Sequence, residues 1–268
     1  MTPDKNKPRK YAIEPYNPEW ANQFELIKKD ILSAFGDLAL EIEHIGSTSI
    51  PGMWAKPLID VMVIVENIES LFHATESMKS MGYEYGENYI APRTMIFYKT
   101  GKDDQKLINI HVCEPNSYKI KQFIALRDFL CTFPEKAQEY SEFKKHLYAK
   151  HPDSYVAYRE EKGPFLTRLV QEAFAWYDQK NFEAILKNEG FPIIYSWHDD
   201  PGTVYESHIH RGRVSFYVTN GSVTFSGGIN KTVSAGERID VPPGIKHSAV
   251  VGPDGCDYIV GQEIENDA

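Results

Sequence analysis

The sequence predicts two domains, an α/β domain followed by an all-β domain. The first half alternates helical hydrophobic stripes with short apolar runs, which is typical of a sheet covered by helices. Near residues 178–180 the pattern changes to short strand-like runs separated by Gly, Pro and Asn. A chain of 268 residues is long enough for two domains. We therefore expect one domain over residues 1–178 and a second over residues 183–268.

Hydrophobic spacing predicts the elements of the first domain. Residues 1–10 are expected to form a loose tail, and Asn17 can cap a helix that Pro18 opens and Gly36 ends. Further helices are expected over 68–81, after 115, over about 132–150 and over about 154–177, with a short linking helix at 182–188. Strands are expected at 38–45, 58–65, 83–89, 94–99 and 107–112, the last two joined by a hairpin turn at 101–104.

Composition limits the partners and the compartment. A formal charge of −9 argues against general nucleic-acid binding, although a local pocket can still be basic. The cysteine count is three, without C-x-x-C spacing, which indicates reduced thiols. No apolar run approaches the roughly 18 residues of a membrane span. We therefore expect a cytoplasmic protein with no membrane partner.

The stretch from His44 to Asp60 is the predicted functional centre of the first domain. Asp60 interrupts the apolar run 58–65, and a lone buried charge costs several kcal/mol unless it is paired, hydrogen-bonded or bound to a metal. Small residues whose backbone N–H groups can surround an anion lie between the two strands, namely Gly46, Ser47, Thr48 and Ser49. This order of residues suits a phosphate-bearing ligand.

A Gly-Ser turn followed by a strand carboxylate resembles nucleotidyltransferases of the polymerase-β type, and the detailed string resembles the GrpB family of nucleotidyltransferase-like proteins. The resemblance rests on residues 44–52, Lys56-Pro57, Asp60 and residues 109–112, and spans roughly residues 10–178. It implies an α/β (α+β) fold with a mixed sheet and helices. Gly46, Ser47, Thr48, Ser49 and Lys56 would bind the nucleotide, and Asp60 would bind Mg²⁺.

The same resemblance implies roles for residues outside this string. His111 lies on a strand where relatives carry a third carboxylate, so it is a candidate catalytic residue; the alternative is a structural histidine. Arg127, together with residues 155–162, is a candidate nucleotide ligand by this resemblance. Arg93 is a candidate nucleotide ligand for a different reason, because it lies just before a strand and can reach an anionic substrate. Arg93 is equally suited to a surface ion pair, and the helical residues to a bundle that only supports the sheet.

Met62 is a departure from the polymerase-β pattern. Those enzymes usually present two carboxylates two residues apart on this strand, and two-metal phosphoryl transfer needs enough negative charge to hold both ions. In this chain Met62 takes the second position. The alternative is therefore a non-catalytic fold whose Asp60 pairs with Lys56 or an arginine.

The second half contains two histidine motifs with matching spacing. The first runs from Gly202 to His210 and has five residues between its glycine and a His-x-His pair; the second runs from Gly236 through a Pro-x-Gly turn to His247. Both resemble the signatures of the cupin family, an all-β barrel (double-stranded β-helix). The resemblance implies a metal such as Zn, Ni, Fe or Cu at His208, His210 and His247.

This second motif set also departs from its family. The glutamate that usually follows the His-x-His pair is replaced by Ser215, and Glu206 is a candidate substitute. The alternative is an empty, ligand-sensing barrel. The aromatic residues of this half are expected to be core rather than substrate contacts, namely Trp197, Tyr205, Phe216 and Tyr258.

Together these motifs predict a nucleotide-binding protein that moves a nucleotidyl group to a small-molecule acceptor, with a cupin domain for a metal or metabolite. Two alternatives remain open. One is a non-catalytic nucleotide or coenzyme sensor, and the other is a metal-dependent cupin enzyme regulated by the first domain. Because cupins often pair through their sheets, a homodimer is a further expectation.

Overall fold

A computed structural model of the protein describes residues 11–101, 105–115 and 117–264. The chain divides into two compact units, and the division falls between Phe174 and Ala175. The predicted tail at residues 1–10 and most of the predicted turn at 101–104 lie outside the described residues. No helix in the described ranges combines the length and apolar character needed to cross a bilayer.

The first unit contains one sheet and most of the helices. Its strands are β1 (Ala39–Ile45), β2 (Ile59–Val65), β3 (Glu84–Glu87), β4 (Thr94–Thr100) and β5 (Lys106–Cys113). The helices are α1 (Glu19–Phe35), α2 (Phe72–Ser80), α3 (Tyr118–Thr132), α4 (Pro134–Lys150) and α5 (Tyr155–Asn188), the last of which continues into the second unit.

The sheet is mixed, as expected. Its strand order is β1-β2-β5-β4-β3, with β2 and β5 parallel and the other neighbours antiparallel. The antiparallel pairing of β4 with β5 confirms the predicted hairpin. On β2 the side chains alternate between two buried layers, so Asp60 and Val61 face opposite sides of the sheet.

One face of this sheet is packed against α1 and α2. The side-chain oxygen of Asn17 accepts a hydrogen bond from the Glu19 N–H at 3.0 Å, which supports the predicted start of α1. The buried stripe of α1 has the predicted spacing: Trp20, Phe24, Ile27, Ile31 and Phe35. These side chains pack on Val61, Val63 and Ile110 of the sheet and form the main core of the unit.

Two helix predictions are wrong in their bounds. The expected helix at 68–81 is a 3₁₀ turn, Ile68–Ser70, followed by α2, because the Asn67 side chain accepts from the Glu69 N–H and closes a separate turn. The expected break near Tyr177 is absent, since α5 continues to Asn188. No Gly or Pro interrupts residues 178–182, and the chain leaves the helix at Gly190, whose φ is +84°.

The second unit is rich in β-structure, as the sequence predicts. Its strands are β6 (Ile193–Asp199), β7 (Val204–His208), β8 (Val214–Gly227), β9 (Lys231–Ser234), β10 (Arg238–Val241) and β11 (His247–Gln262). They pair antiparallel in the order β10-β8-β11-β6, and β7 pairs with β11 while β9 pairs with β8. The core consists mainly of valines and aromatic residues from β8 and β11.

Candidate functional site

A cavity of about 280 Å³ covers the face of the first sheet that carries Asp60. Residues of the predicted centre form its floor, and side chains of α3, α4 and α5 form its remaining wall. The polar and charged lining residues are Ser47, Thr48, Lys56, Asp60, Asn109, Arg127, Tyr140, Lys144, Tyr155, Tyr158 and Lys162. Charged groups that are far apart in the sequence thus line one cavity together with Asp60.

Asp60 is held by its neighbours on β5. Nδ2 of Asn109 donates to Oδ1 of Asp60 at 2.9 Å, and Nε2 of His111 lies 3.7 Å from the same oxygen. Burial acts to raise the pKa of Asp60, but His111, the hydrogen bond from Asn109 and the charge of Lys56 outweigh it and lower the pKa. Asp60 is therefore an anion with a fixed orientation at neutral pH.

Gly46 is required where the turn passes Asp60. Its φ is +73°, and a Cβ built there would lie 2.9 Å from Oδ2 of Asp60. Any side chain would therefore meet both a left-handed backbone and the carboxylate. This glycine allows the backbone of the turn to approach Asp60 closely.

The hydroxyl groups of the turn divide into two roles. Thr48 donates to the Leu58 carbonyl at 3.2 Å and Ser49 donates to the Gly46 carbonyl at 2.6 Å, so both hydroxyls hold the turn together. Ser47 instead faces the cavity, where its hydroxyl accepts from Nζ of Lys144 at 3.0 Å. Ser49 does not line the cavity.

His111 and His44 lie on opposite faces of the sheet. His111 is paired in register with Met62, on the Asp60 face, and its ring stacks on Phe123; it lies behind Asp60 and does not line the cavity. His44 stacks on Phe24 of α1 at 4.8 Å, on the other face. The two histidines therefore do not converge on Asp60.

His44 is held in its neutral form. The Thr48 hydroxyl lies 3.1 Å from Nε2 of His44. Because this hydroxyl donates its hydrogen bond to the Leu58 carbonyl, it accepts a hydrogen bond from Nε2 of His44. Burial, together with a smaller contribution from Arg127, lowers the pKa of His44 to about 4, although Asp60 acts in the opposite direction.

Three lysines from different elements meet in this cavity. Nζ of Lys56 donates to the Tyr155 hydroxyl at 2.8 Å, and Lys144 is almost fully buried against Ser47. Burial first, then the charges of Lys162 and Lys56, move the pKa of Lys144 well below its usual range. Burial acts to raise the pKa of Tyr155, but Lys56 and Lys162 lower it. Both shifts show that positive charge is crowded here.

The two candidate arginines have different positions. Arg127 lines the cavity, but its guanidinium binds Glu43 and Asp128, so its charge is already compensated. Arg93 is not brought to the cavity. It pairs with Glu114, the residue that follows the end of β5, and its guanidinium nitrogens lie 2.7 and 2.8 Å from the Glu114 carboxylate oxygens. Arg93 therefore serves as a surface ion pair.

Met62 occupies the second carboxylate position and is fully buried among Ile45, Ile64 and Cys113. The nearest carboxylate in register is Glu43, which is paired with Met62 across β1 and β2 but is bound by Arg127. Asp60 is therefore the carboxylate among the described lining residues that remains available to a ligand or ion.

The sequence reasoning missed Lys144 and underused Asn109. A signal for Lys144 does exist, because it falls in the buried stripe of α4, between Ser141 and Leu147. A lysine in such a stripe points its charge into the fold, which needs a polar partner. Asn109 was part of the motif, but its contact with Asp60 depends on the parallel register of β2 and β5.

In the second unit, the three predicted histidines come together. One ring nitrogen from each of His208, His210 and His247 lies within 4.8 Å of the others. Nδ1 of His208 is 2.7 Å from the Glu206 carbonyl, and Nδ1 of His247 is 2.9 Å from the Ile245 carbonyl. Because a carbonyl only accepts, both Nδ1 atoms carry the proton and both Nε2 atoms have a lone pair for a metal.

Neither Ser215, which stands in the place of the usual glutamate, nor Glu206, the candidate substitute, joins them. Ser215 is fully buried and its hydroxyl donates to Asp240 at 2.7 Å, away from the histidines. Glu206 is exposed and is outside this group. The group in the second unit therefore consists of three imidazoles, and no carboxylate joins it among the described residues.

Comparison with known proteins gives matches to the first unit. A family model described as GrpB protein matches residues 10–172. The UPF0157 protein YqkA of Bacillus subtilis is 38% identical over 174 residues, which are 65% of this chain and 50% of that protein. The chain thus spans about half the length of this relative.

Solved structures are similar to parts of this chain. The crystal structure of GrpB from Enterococcus faecalis covers 62% of this chain and 99% of its own, with a TM-score of 0.58 and 32% identity. An RmlC-like cupin from Shewanella frigidimarina covers 28% of this chain and 68% of its own, with a TM-score of 0.26 and 28% identity, which carries no argument about the second unit.

Proposed function

The chain belongs to the GrpB family, and on this premise we propose that its first unit binds a nucleoside triphosphate or a coenzyme phosphate in the Asp60 cavity. The observation that carries the proposal is the meeting of Lys56, Lys144 and Lys162 around one carboxylate. Buried like charges repel, and a bound polyanion would remove this repulsion. The turn at Gly46 and Ser47 adds backbone and hydroxyl donors beside them.

Mg²⁺ suits this arrangement as a single ion held jointly with the ligand. Magnesium is commonly bound by one or two carboxylates plus substrate phosphates, and Asp60 supplies one carboxylate in a fixed orientation. When bound, the ion would neutralise phosphate charge and orient the triphosphate. The described lining residues offer no carboxylate for a second ion, because Met62 stands in the position of the second carboxylate and Glu43 pairs with Arg127.

The reaction that we propose is nucleotidyl transfer on a fold of the polymerase-β type. A hydroxyl or amine of a small acceptor would attack the α-phosphorus and lose its proton, and the bond to the pyrophosphate leaving group would break. The lysines would neutralise the developing charge. The non-catalytic alternative, a nucleotide or coenzyme sensor, uses the same residues without the acceptor.

The experiment is calorimetric binding of ATP, GTP, CTP, UTP and coenzyme A to the full chain, with and without Mg²⁺. We expect Mg²⁺-dependent binding that Asp60→Asn and Lys56→Met each weaken by about tenfold or more. Lys145→Met is the matched control, because Lys145 pairs with Glu142 outside the cavity. Absence of binding to all five ligands would contradict the proposal, and binding without turnover would select the sensor.

A second function is favoured by the histidines of the second unit. We propose that this unit is a cupin that holds a divalent transition ion at His208, His210 and His247. The donor set suits Zn, Ni, Fe or Cu, since it consists of imidazole nitrogens. In two of the rings, His208 and His247, Nδ1 donates a hydrogen bond to a backbone carbonyl and leaves Nε2 for the metal. Such an ion, when bound, would activate an oxygen ligand at an open position.

Metal content of the purified chain tests this second function. We expect close to one transition ion per chain, retained on gel filtration and lost in His208→Ala and His247→Ala. His198→Ala is the control, because His198 pairs with Asp257 and is outside the group. Equal metal content in the wild type and both ligand variants would contradict the metal centre.

We also propose a reducing, cytoplasmic environment. The chain has three cysteines, Cys113, Cys131 and Cys256, and all three are free thiols. Burial raises the pKa of each thiol, which keeps them protonated; Cys113 and Cys256 are also buried, whereas Cys131 is exposed. A thiol titration that finds Cys131 alone in the native chain and all three cysteines after unfolding would support this environment.

A further inference from the structure

The cavity beside the three histidines has walls of aromatic rings. Its volume is about 230 Å³, and the histidines line it together with four aliphatic or amide side chains and one carboxylate. The aromatic lining residues come from β6, β7, β8 and β11, namely Tyr195, Trp197, Tyr205, Phe216, Phe225 and Tyr258. Flat apolar walls of this kind select a flat apolar ligand.

The sequence predicts that Trp197, Tyr205, Phe216 and Tyr258 are core residues, and this prediction is wrong for two of them. Trp197 is 54% exposed and Tyr205 is 37% exposed, although both line the cavity. A ring that only filled a core would be buried, so these two rings form an accessible rim. Tyr258 is buried, as predicted, and Phe216 is partly buried against the core.

The size of the cavity limits the ligand to a single ring. An apolar cavity of about 150 Å³ is enough to bind benzene. A volume of about 230 Å³ therefore holds one ring with a small substituent. Pockets that enclose drug-sized molecules begin at roughly 300 Å³.

The charges around the cavity specify the substituent. The three imidazoles are neutral ligands, so a divalent ion would keep its full charge. Among the lining residues the carboxylate is Asp199, which is buried and accepts from Nε1 of Trp197 at 3.1 Å and from the Tyr205 hydroxyl at 2.7 Å. The ion and Asp199 together leave one uncompensated positive charge, which one monoanion would balance.

We infer that the cavity of the second unit binds a single-ring aromatic monoanion, with its oxygen donor towards His208, His210 and His247 and its ring between the aromatic walls. This inference rests on the metal centre proposed above. A polar ligand such as a sugar acid is not suited to this site, because most of the wall offers no hydrogen-bond partner. An aromatic cation is excluded by the charge of the ion.

The test uses the full chain loaded with Co²⁺, whose visible absorption reports the ligands of the ion. Metal content is measured first, and benzoate, acetate and benzylamine are then titrated. Benzoate shares its carboxylate with acetate and its ring with benzylamine, so the three probes separate charge from shape. We expect benzoate to change the spectrum and to bind at least about tenfold tighter than acetate, with no response to benzylamine.

Variants at the rim sharpen this result. Trp197→Ala should weaken benzoate binding by about tenfold and leave acetate binding and metal content unchanged. Trp176→Ala, which removes a tryptophan that does not line the cavity, is the matched control. Metal retention with equal affinity for benzoate and acetate would overturn this inference and leave the metal centre intact. Failure to retain Co²⁺ above the level of His208→Ala would overturn both.

Discussion

The two cavities of this protein are similar in volume and opposite in chemistry. The cavity of the first unit, about 280 Å³, contains three lysines and one available carboxylate, whereas that of the second, about 230 Å³, contains aromatic rings and three histidines. The first has an excess of basic side chains, whereas the second has mainly apolar walls beside a group of imidazole nitrogens. The comparison shows that wall chemistry, and not volume, distinguishes the two cavities.

The difference follows from how each cavity is built. In the first unit, long side chains from α4 and α5 reach towards the sheet, so flexible ammonium groups gather over Asp60. In the second unit, alternate residues of paired strands line the cavity, which places rigid rings and imidazoles at fixed spacing. The helices of the first unit therefore supply charged groups on long side chains, and the strands of the second unit supply rings at fixed positions.

The largest effect is expected for Lys144, which makes the first cavity most unlike the second. Lys144→Met keeps the length of the side chain and removes its charge, so it should weaken triphosphate binding by about tenfold to a hundredfold. The same change should raise the stability of the free protein by about 1 kcal/mol, because it removes a buried charge and its repulsion from Lys162 and Lys56. Calorimetry and urea unfolding measure the two quantities.

The essential result for Lys144→Met is a lower affinity for the triphosphate together with a higher free energy of unfolding. Lys145→Met, which removes a more exposed lysine on the same helix, should leave binding unchanged and stability within about 0.5 kcal/mol. A loss of stability in Lys144→Met without a loss of affinity would show that the lysine is structural, and the contrast between the cavities would then fail.

A smaller effect is expected for the backbone of the Gly46 turn. Gly46→Ala should destabilise the protein by about 2 kcal/mol and weaken Mg²⁺-dependent binding, because the new methyl group meets Oδ2 of Asp60 at 2.9 Å and φ is +73°. Gly36→Ala measures the effect of the backbone conformation alone, because the φ of Gly36 is +52° and a Cβ at this position meets nothing within 4 Å. This substitution should lower the free energy of unfolding by about 1 kcal/mol. Equal costs in urea unfolding would show that Asp60 does not constrain the turn.

The smallest effect concerns acid stability, in which the units also differ. His44 in the first unit has its pKa lowered to about 4 by burial, so the unfolded chain binds its proton first, and stability is lost as the pH falls from about 6.5 towards 4. We expect this loss to be about 1–2 kcal/mol after allowing for partial exposure. In the second unit, hydrogen bonding to Asp257 raises the pKa of exposed His198, so its small contribution has the opposite sign.

Urea unfolding at pH 7 and pH 5 measures the acid effect. His44→Gln should lose less stability than the wild type over this interval, because it has no proton to gain. His73→Gln, at an exposed position of α2, is the control and should behave as the wild type does. A loss in His44→Gln as large as that of the wild type would assign the acid sensitivity to other groups.

Much of this protein could be predicted because the relevant signals are local. The stripe of α1, the β4–β5 pairing and the three histidines follow from short spacings that a strand or helix converts directly into a face. The mixed sheet was implied by the family resemblance of the Asp60 motif. The errors have local causes as well: Asn67 closed a turn within an expected helix, and the polar residues 178–180 were compatible with helix continuation.

The sequence by itself determined membership of a family, the position of the Asp60 turn and the identity of the three histidines. Only the tertiary structure decided that Lys144 enters the Asp60 cavity, that Arg93 does not, and that His111 lies behind the carboxylate. The physical reason is that a motif fixes side chains along one element, whereas charge balance in a cavity depends on which distant elements pack together. Long side chains such as lysine and arginine reach in whichever direction that packing leaves for them.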